Sequence, residues 1–170
     1  RQHSLYRIRE TMHFPFSSQE SFRNGIHPPD SKDETAELPI RQFPFAPVMV
    51  LPLQQHIGKP AVPIVRAGQE VCRGEKIAEA DGFVSVPLHA PASGVIKQDA
   101  LAPNASGKMV RSLFLQPFPA STQEVQRGKP CDVESASREH IIESIQDAGI
   151  VGLGGAAFPT HVKLKIPDGK

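Results

Sequence analysis

Between Val48 and Leu115 the apolar positions fall into short runs: Val48-Met49-Val50-Leu51, Val62-Pro63-Ile64-Val65, Lys76-Ile77-Ala78, Phe83-Val84-Ser85-Val86, Gly94-Val95-Ile96 and Val110-Arg111-Ser112-Leu113-Phe114-Leu115. These runs are rich in β-branched residues and too short for helices, so they predict strands. Turn signals separate them at Ala67-Gly68, Arg73-Gly74, Asp81-Gly82, Ala92-Ser93-Gly94 and Ser106-Gly107. A turn about every 8–14 residues is the spacing of a small all-β sandwich or barrel. Gly68 and Gly74 suit the positive φ of tight turns, and Gly94 lets the chain reverse where a side chain would clash.

The pattern changes on either side of this region. Residues 1–44 show little periodicity and many prolines, which lock φ and disfavour helix before them, so an extended arm is predicted with Phe14, Phe16 and Phe22 as anchors, clamped on its own domain or, as the alternative, binding a partner. Residues 121–136 are polar and contain Gly128, Pro130 and Ser135, the texture of a linker. A helix is predicted next: Ile141, Ile142, Ile145 and Ala148 form one apolar stripe, Ser137 is placed to cap its N-terminus, and Gly149 stands where it should stop. Glu139 and Glu143 suit its front half through the helix dipole. The organisation read this way is an arm at 1–44, a β domain at 45–118, a linker at 119–136 and a further element at 137–170.

Composition narrows the function classes. At 170 residues the chain has room for one ordinary domain or two small ones. Its 19 Lys and Arg nearly balance 18 Asp and Glu, so charge supplies no reason to expect a nucleic-acid partner. No run approaches the roughly 20 apolar residues of a membrane span, and Arg1 to Met12 are too polar for a signal-peptide core. Cys72 and Cys131 stand far apart without a CxxC spacing, which excludes a thiolate zinc site or a four-cysteine iron–sulfur cluster within these residues and fits a reducing compartment. His27, His56 and His89 lack metal-ligand spacing and read as surface or hydrogen-bonded structural residues, and no triad or carboxylate pair suggests a catalytic residue. A start at Arg1 and an end in Pro167-Asp168-Gly169-Lys170 read as a piece of something longer.

The segment richest in chemistry is Gly152-Leu153-Gly154-Gly155-Ala156-Ala157-Phe158-Pro159-Thr160-His161-Val162-Lys163. Its glycines leave backbone N–H groups free to approach a phosphate or a flat ring, and Lys163 adds a positive charge for the same anion. Pro159 suits a first helical turn that would aim a helix N-terminus at the loop. A helix precedes this loop where a dinucleotide fingerprint has a strand, so spacing alone fits a plain turn after a helix equally well.

The stretch from Val65 to Ala80 followed by His89-Ala90-Pro91-Ala92-Ser93-Gly94 resembles the biotinyl/lipoyl-like barrel-sandwich family. Carrier members of that family present a modified lysine at a hairpin tip. Here the tip falls near Asp81-Gly82-Phe83 and Lys76 lies inside the preceding strand, so a structural module is expected rather than a carrier.

The whole glycine string resembles the flavin-binding loop shared by two families: the NADH-oxidising flavoprotein subunit of respiratory complex I, and the RnfC subunit of the Rnf/Rsx ion-translocating electron-transport complex. Phe22-Arg23-Asn24-Gly25-Ile26-His27-Pro28-Pro29, Leu53-Gln54-Gln55-His56-Ile57-Gly58 and the His89 to Gly94 turn are similar to the second family, in the same order. The resemblance implies a mostly β chain: an extended arm, a barrel-sandwich hybrid domain, and the start of an α/β domain that holds FMN and receives hydride from NADH. It implies FMN contacts from the backbone of Gly152, Gly154, Gly155 and Ala156, a phosphate or flavin-oxygen contact from Lys163, and nicotinamide stacking on Phe158. Asn24 and Ala157 stand where the family carries glycine; the first alters a local turn and the second adds a methyl beside the loop.

In function, the resemblance implies a peripheral subunit on the cytoplasmic side of the inner membrane, joined to other Rnf-type subunits. Its work would be electron transfer between NADH and, indirectly, ferredoxin, coupled to ion movement. The [4Fe–4S] clusters of the family belong to a C-terminal part that these 170 residues lack, so alone they are expected to be inactive and to bind FMN weakly or not at all. The alternative is a non-enzymatic barrel-sandwich module that only docks to such a complex.

Overall fold

The computed structural model describes residues 29, 31–41, 44–128 and 130–165. Phe14, Phe16, Phe22, His27 and most of the expected arm lie outside them. The chain divides into Arg1–Gln42 and Phe43–Lys170. The described part of the first unit is one turn, in which Lys32 O accepts from Thr35 N and Ala36 N at 2.9 and 2.8 Å.

The second unit is built mainly of strands: β1 (Met49–Pro52), β2 (Val62–Pro63), β3 (Glu70–Val71), β4 (Lys76–Glu79), β5 (Leu88–His89), β6 (Gly94–Pro103) and β7 (Met109–Pro117). They pair antiparallel into a four-stranded sheet in the order β1-β7-β6-β3 and a three-stranded sheet in the order β2-β4-β5. Leu53, Val71, Ile77, Ala78, Ala90, Ala92, Ile96, Leu113 and Leu115 form one buried core. Its many alanines allow the sheets to approach closely, since small side chains fill little of the space between them.

Most of the predicted runs are strands, with two instructive departures. Phe83 to Val86 is apolar but joins no ladder, and the strand starts instead at Leu88. Its polar groups are met outside any ladder: Val84 O accepts from Lys59 N at 3.0 Å, Ser85 Oγ accepts from Asp81 N and donates to Lys59 O, both at 3.0 Å, and Val86 N donates to His56 Nε2 at 3.3 Å. Pro87 then offers no N–H to a ladder. The buried His56 donates through Nδ1 to Ile57 O at 3.0 Å, which gives it the hydrogen-bonded structural role expected of it.

Gly94 is the second departure. It opens β6 after the bend at residues 91–93 and lies opposite Pro117, so the clash it avoids is with the neighbouring strand. A Cβ here would sit 2.8 Å from the Gln116 carbonyl carbon and 2.9 Å from Pro117 Cα, so the close approach of β6 to β7 requires glycine for space.

The predicted helix is α1 (Arg138–Asp147), with Ser137 Oγ accepting from His140 N at 3.2 Å. Gly149 follows with φ +70°, the left-handed conformation that ends helices at low cost in glycine. The end of α1 lies against the barrel. Asp147 pairs with Lys76 of β4, Gln146 Nε2 donates to Ser85 O at 3.1 Å, and a Cβ on Gly149 would approach Pro87 O to 2.9 Å.

Candidate functional site

Beyond Gly149 the glycine segment forms a small hairpin and a short helix: β8 (Val151–Gly152), β9 (Phe158–Pro159) and α2 (Thr160–Leu164). Gly152 pairs with Phe158, residues 153–156 form the turn, and Thr160 N donates to Ile150 O at 3.0 Å. Pro159 is not in the first helical turn as expected. It is the buried residue just before α2, with φ −57° and ψ 125°, because it completes the strand pairing. Five residues of helix give little summed dipole, so the expected helix terminus is not a source of anion affinity here.

The structure brings Gly152, Phe158 and Lys163 together. Lys163 Nζ lies 5.6 Å from the Phe158 ring centroid, and a Cβ on Gly152 would come within 3.2 Å of Nζ. Gly154, Gly155 and Ala156 form the exposed turn, and a Cβ on Gly154 or Gly155 would meet nothing within 4 Å. Bare backbone at the turn and a cation lying over the first glycine suit one wall of a site for a flat, anionic group such as FMN. Leu153 projects at 86% exposure beside them.

Ala157 holds φ at +52°. The residue that departs from the resembled family therefore strains the backbone as well as adding a methyl, which is a physical reason for glycine there.

His161 is the residue that sequence reasoning missed. It is buried at 1% exposure, its Nε2 lies 2.7 Å from Phe83 O, and its ring meets Phe83 edge-on with centroids 5.7 Å apart. The signal available was its place on the inward side of the helix that bears Lys163. The Asp81-Gly82-Phe83 tip, where carriers present lysine, is thus occupied by a contact with α2.

A separate cavity of about 940 Å³ opens between β4, β5, residues 126–128 and 130–131, and α1, and none of the hairpin residues line it. Its walls include Lys76, His89, Arg127, Cys131, His140 and Glu143. The Lys76 ammonium is held above its ordinary value chiefly by its hydrogen bond to Asp147. Burial pushes the His89 imidazole down, reinforced by the Lys76 charge and opposed by Asp147 and Glu79. Among the described residues no cluster of His, Cys, Asp and Glu could hold a metal ion, and Cys72 and Cys131 are free thiols. No described helix is long and apolar enough to cross a membrane.

Residues 20–117 match the family profile of the RnfC barrel sandwich hybrid domain. The chain is 41% identical over 150 residues to the RnfC subunit of the Na(+)-translocating ferredoxin:NAD(+) oxidoreductase complex of Acetobacterium woodii, covering 88% of this chain and 34% of that protein. It is 38% identical over 152 residues to the corresponding subunit of the proton-translocating ferredoxin:NAD(+) oxidoreductase complex of Clostridium ljungdahlii, covering 88% and 33%. It is also 41% identical over 150 residues to the corresponding subunit of the ion-translocating oxidoreductase complex of Rhodobacter capsulatus, covering 86% and 28%. The chain spans about a third of the length of the first two relatives.

Proposed function

The chain belongs to the RnfC barrel sandwich hybrid family, and from that membership we propose that it contributes a docking domain and one wall of an FMN site to an ion-translocating ferredoxin:NAD+ oxidoreductase complex. The observation that carries this reading is the β8–β9 hairpin, with bare backbone at Gly154 and Gly155 and Lys163 Nζ lying over Gly152 and Phe158. Backbone N–H groups of Gly152, Gly154, Gly155 and Ala156 hold the flavin, Lys163 neutralises its phosphate or a ring oxygen, and Phe158 stacks on the nicotinamide of NADH. FMN, when bound, supplies the exchange between two-electron hydride transfer and single-electron steps. In this reading the other Rnf-type subunits are the partners, ferredoxin is reached indirectly through [4Fe–4S] clusters elsewhere, and the site faces the cytoplasm at the membrane surface.

The domain reading goes with it: 45–118 is the barrel-sandwich unit, 119–136 a linker and 137–170 the opening of the flavin domain. A hairpin open to solvent on one side holds FMN weakly, so these 170 residues alone are inactive in this proposal. Gly154→Val and Lys163→Ala, made in the longest native form of the subunit, test it. Both should lower flavin content and NADH oxidation together. Unchanged flavin content and turnover in both variants would refute the assignment and leave docking as the better account.

A further inference from the structure

Lys163 rides on a helix that cannot hold itself in place. α2 has five residues and no side-chain cap at its N-terminus. Its position depends on ties to its surroundings: Thr160 N to Ile150 O, Arg138 Nη2 to Leu164 O at 3.3 Å, and His161 to the barrel. The second tie comes from α1 and the third reaches the β domain. Phe83 accepts from His161 through its carbonyl, receives the imidazole against its ring, and lies under the Lys165 ammonium at 4.8 Å from the ring centroid. Residues 161 and 165, one turn apart, thus grip the same side chain.

The chemistry of His161 shows that packing alone does not account for it. A carbonyl oxygen only accepts, so Nε2 carries a proton, and in the neutral imidazole Nδ1 is left with a lone pair. That Nδ1 is buried and has no hydrogen-bond partner among the described residues. An apolar side chain of similar size would fill the same space without leaving a buried acceptor unpaired. What histidine adds is the N–H directed at the Phe83 carbonyl.

We propose that His161 is a positioning residue: by tying α2 to the Asp81–Phe83 tip, it keeps Lys163 Nζ over the Gly152–Phe158 pair. The proposal rests on the reading that Lys163 serves the FMN phosphate. It also assigns a purpose to the hairpin tip, which here acts as a strut for the flavin wall in place of a carrier arm.

The test is a flavin-fluorescence titration of FMN into the apo form of the longest native subunit, with thermal melting of each apoprotein alongside. Lys163→Ala should weaken FMN about tenfold, the usual worth of one charge-assisted hydrogen bond. His161→Leu should weaken it by about three- to tenfold without lowering the melting temperature, because it removes the tie and the orphaned nitrogen together. His161→Gln, whose amide N–H can donate to the same carbonyl, should recover most of the loss. The double variant His161→Leu with Lys163→Ala should bind no more weakly than Lys163→Ala alone, since one acts through the other.

Wild-type affinity in His161→Leu alongside weakened Lys163→Ala would overturn the positioning role and leave the flavin reading intact. Wild-type affinity in Lys163→Ala would overturn the flavin reading, and this proposal with it. Additive losses in the double variant would also overturn it. A readout that needs no variant is the long-range proton–nitrogen NMR spectrum of the 170-residue chain: His161 must carry a proton on Nε2, and a ring protonated on Nδ1 alone refutes the tie.

Discussion

Replacing Gly94 with alanine should cost this fold far more than its single added methyl suggests. Gly94 has no positive φ, so the cost does not arise from backbone conformation. It arises from space: the new Cβ would lie 2.8 Å from the Gln116 carbonyl carbon and 2.9 Å from Pro117 Cα, and closer still to the Gln116 oxygen, where ordinary contact begins at 3.4 Å. All three obstacles are backbone atoms, so no rotamer change relieves them. The strands must separate by about half an ångström or more, which weakens one or two ladder bonds worth roughly 1 kcal/mol each and adds an overpacking cost of about 1–3 kcal/mol.

The sum is about 2–5 kcal/mol, a large share of the roughly 5–15 kcal/mol that stabilises a typical domain. At about 2–4 °C per kcal/mol for a chain of this size, the melting temperature should fall by roughly 4–20 °C. Urea and thermal unfolding followed by circular dichroism measure it. Gly82→Ala is the control. Gly82 has φ +85° and an added Cβ would meet nothing within 4 Å, so only the left-handed backbone penalty of about 1 kcal/mol applies. If Gly94→Ala costs no more than Gly82→Ala, the argument that β6 and β7 approach too closely for a side chain is wrong.

Two further outcomes follow from the electrostatics and from the strained turn. Because the folded state holds the His89 proton less tightly than the unfolded chain, the unfolded state protonates first as pH falls through the ordinary value of 6.5, and stability declines from there down to the lowered folded value. Melting curves between about pH 7 and pH 5.5 should therefore drop less steeply in His89→Gln than in the wild type, and parallel profiles would sink this assignment. Ala157→Gly should raise the urea midpoint by the equivalent of about 0.5–1 kcal/mol, the left-handed penalty at φ +52° less glycine's extra unfolded-state entropy; a loss of stability would show that the Ala157 methyl makes a contact worth more than the strain.

The two kinds of information separate cleanly along the chain. Local rules sufficed for α1, because a capping serine, an apolar stripe and a terminal glycine act within a few residues of one another. They sufficed for most strands too. They failed at Phe83 to Val86, where His56, about thirty residues away in sequence, takes the Val86 N–H that a ladder would have used. They also failed to extend β6 past Ile96 over its polar stretch, where Asp99 pairs with Arg111 of β7 at 2.7 Å, since a hairpin with one exposed face does not need continuous apolar residues.

At the candidate site, the glycine-rich string was singled out by its resemblance to a known flavin loop, because its spacing alone fits a plain turn after a helix. Which of those residues meet was not legible. The placement of Lys163 over Gly152 and Phe158 depends on α2, and α2 in turn on Phe83, nearly eighty positions earlier. Sequence by itself determined the elements whose hydrogen bonds close locally, together with the family. Only the tertiary structure decided the buried tie at His161 and the close approach at Gly94, because each arises where segments distant in sequence come within a few ångströms, and no local pattern encodes that distance.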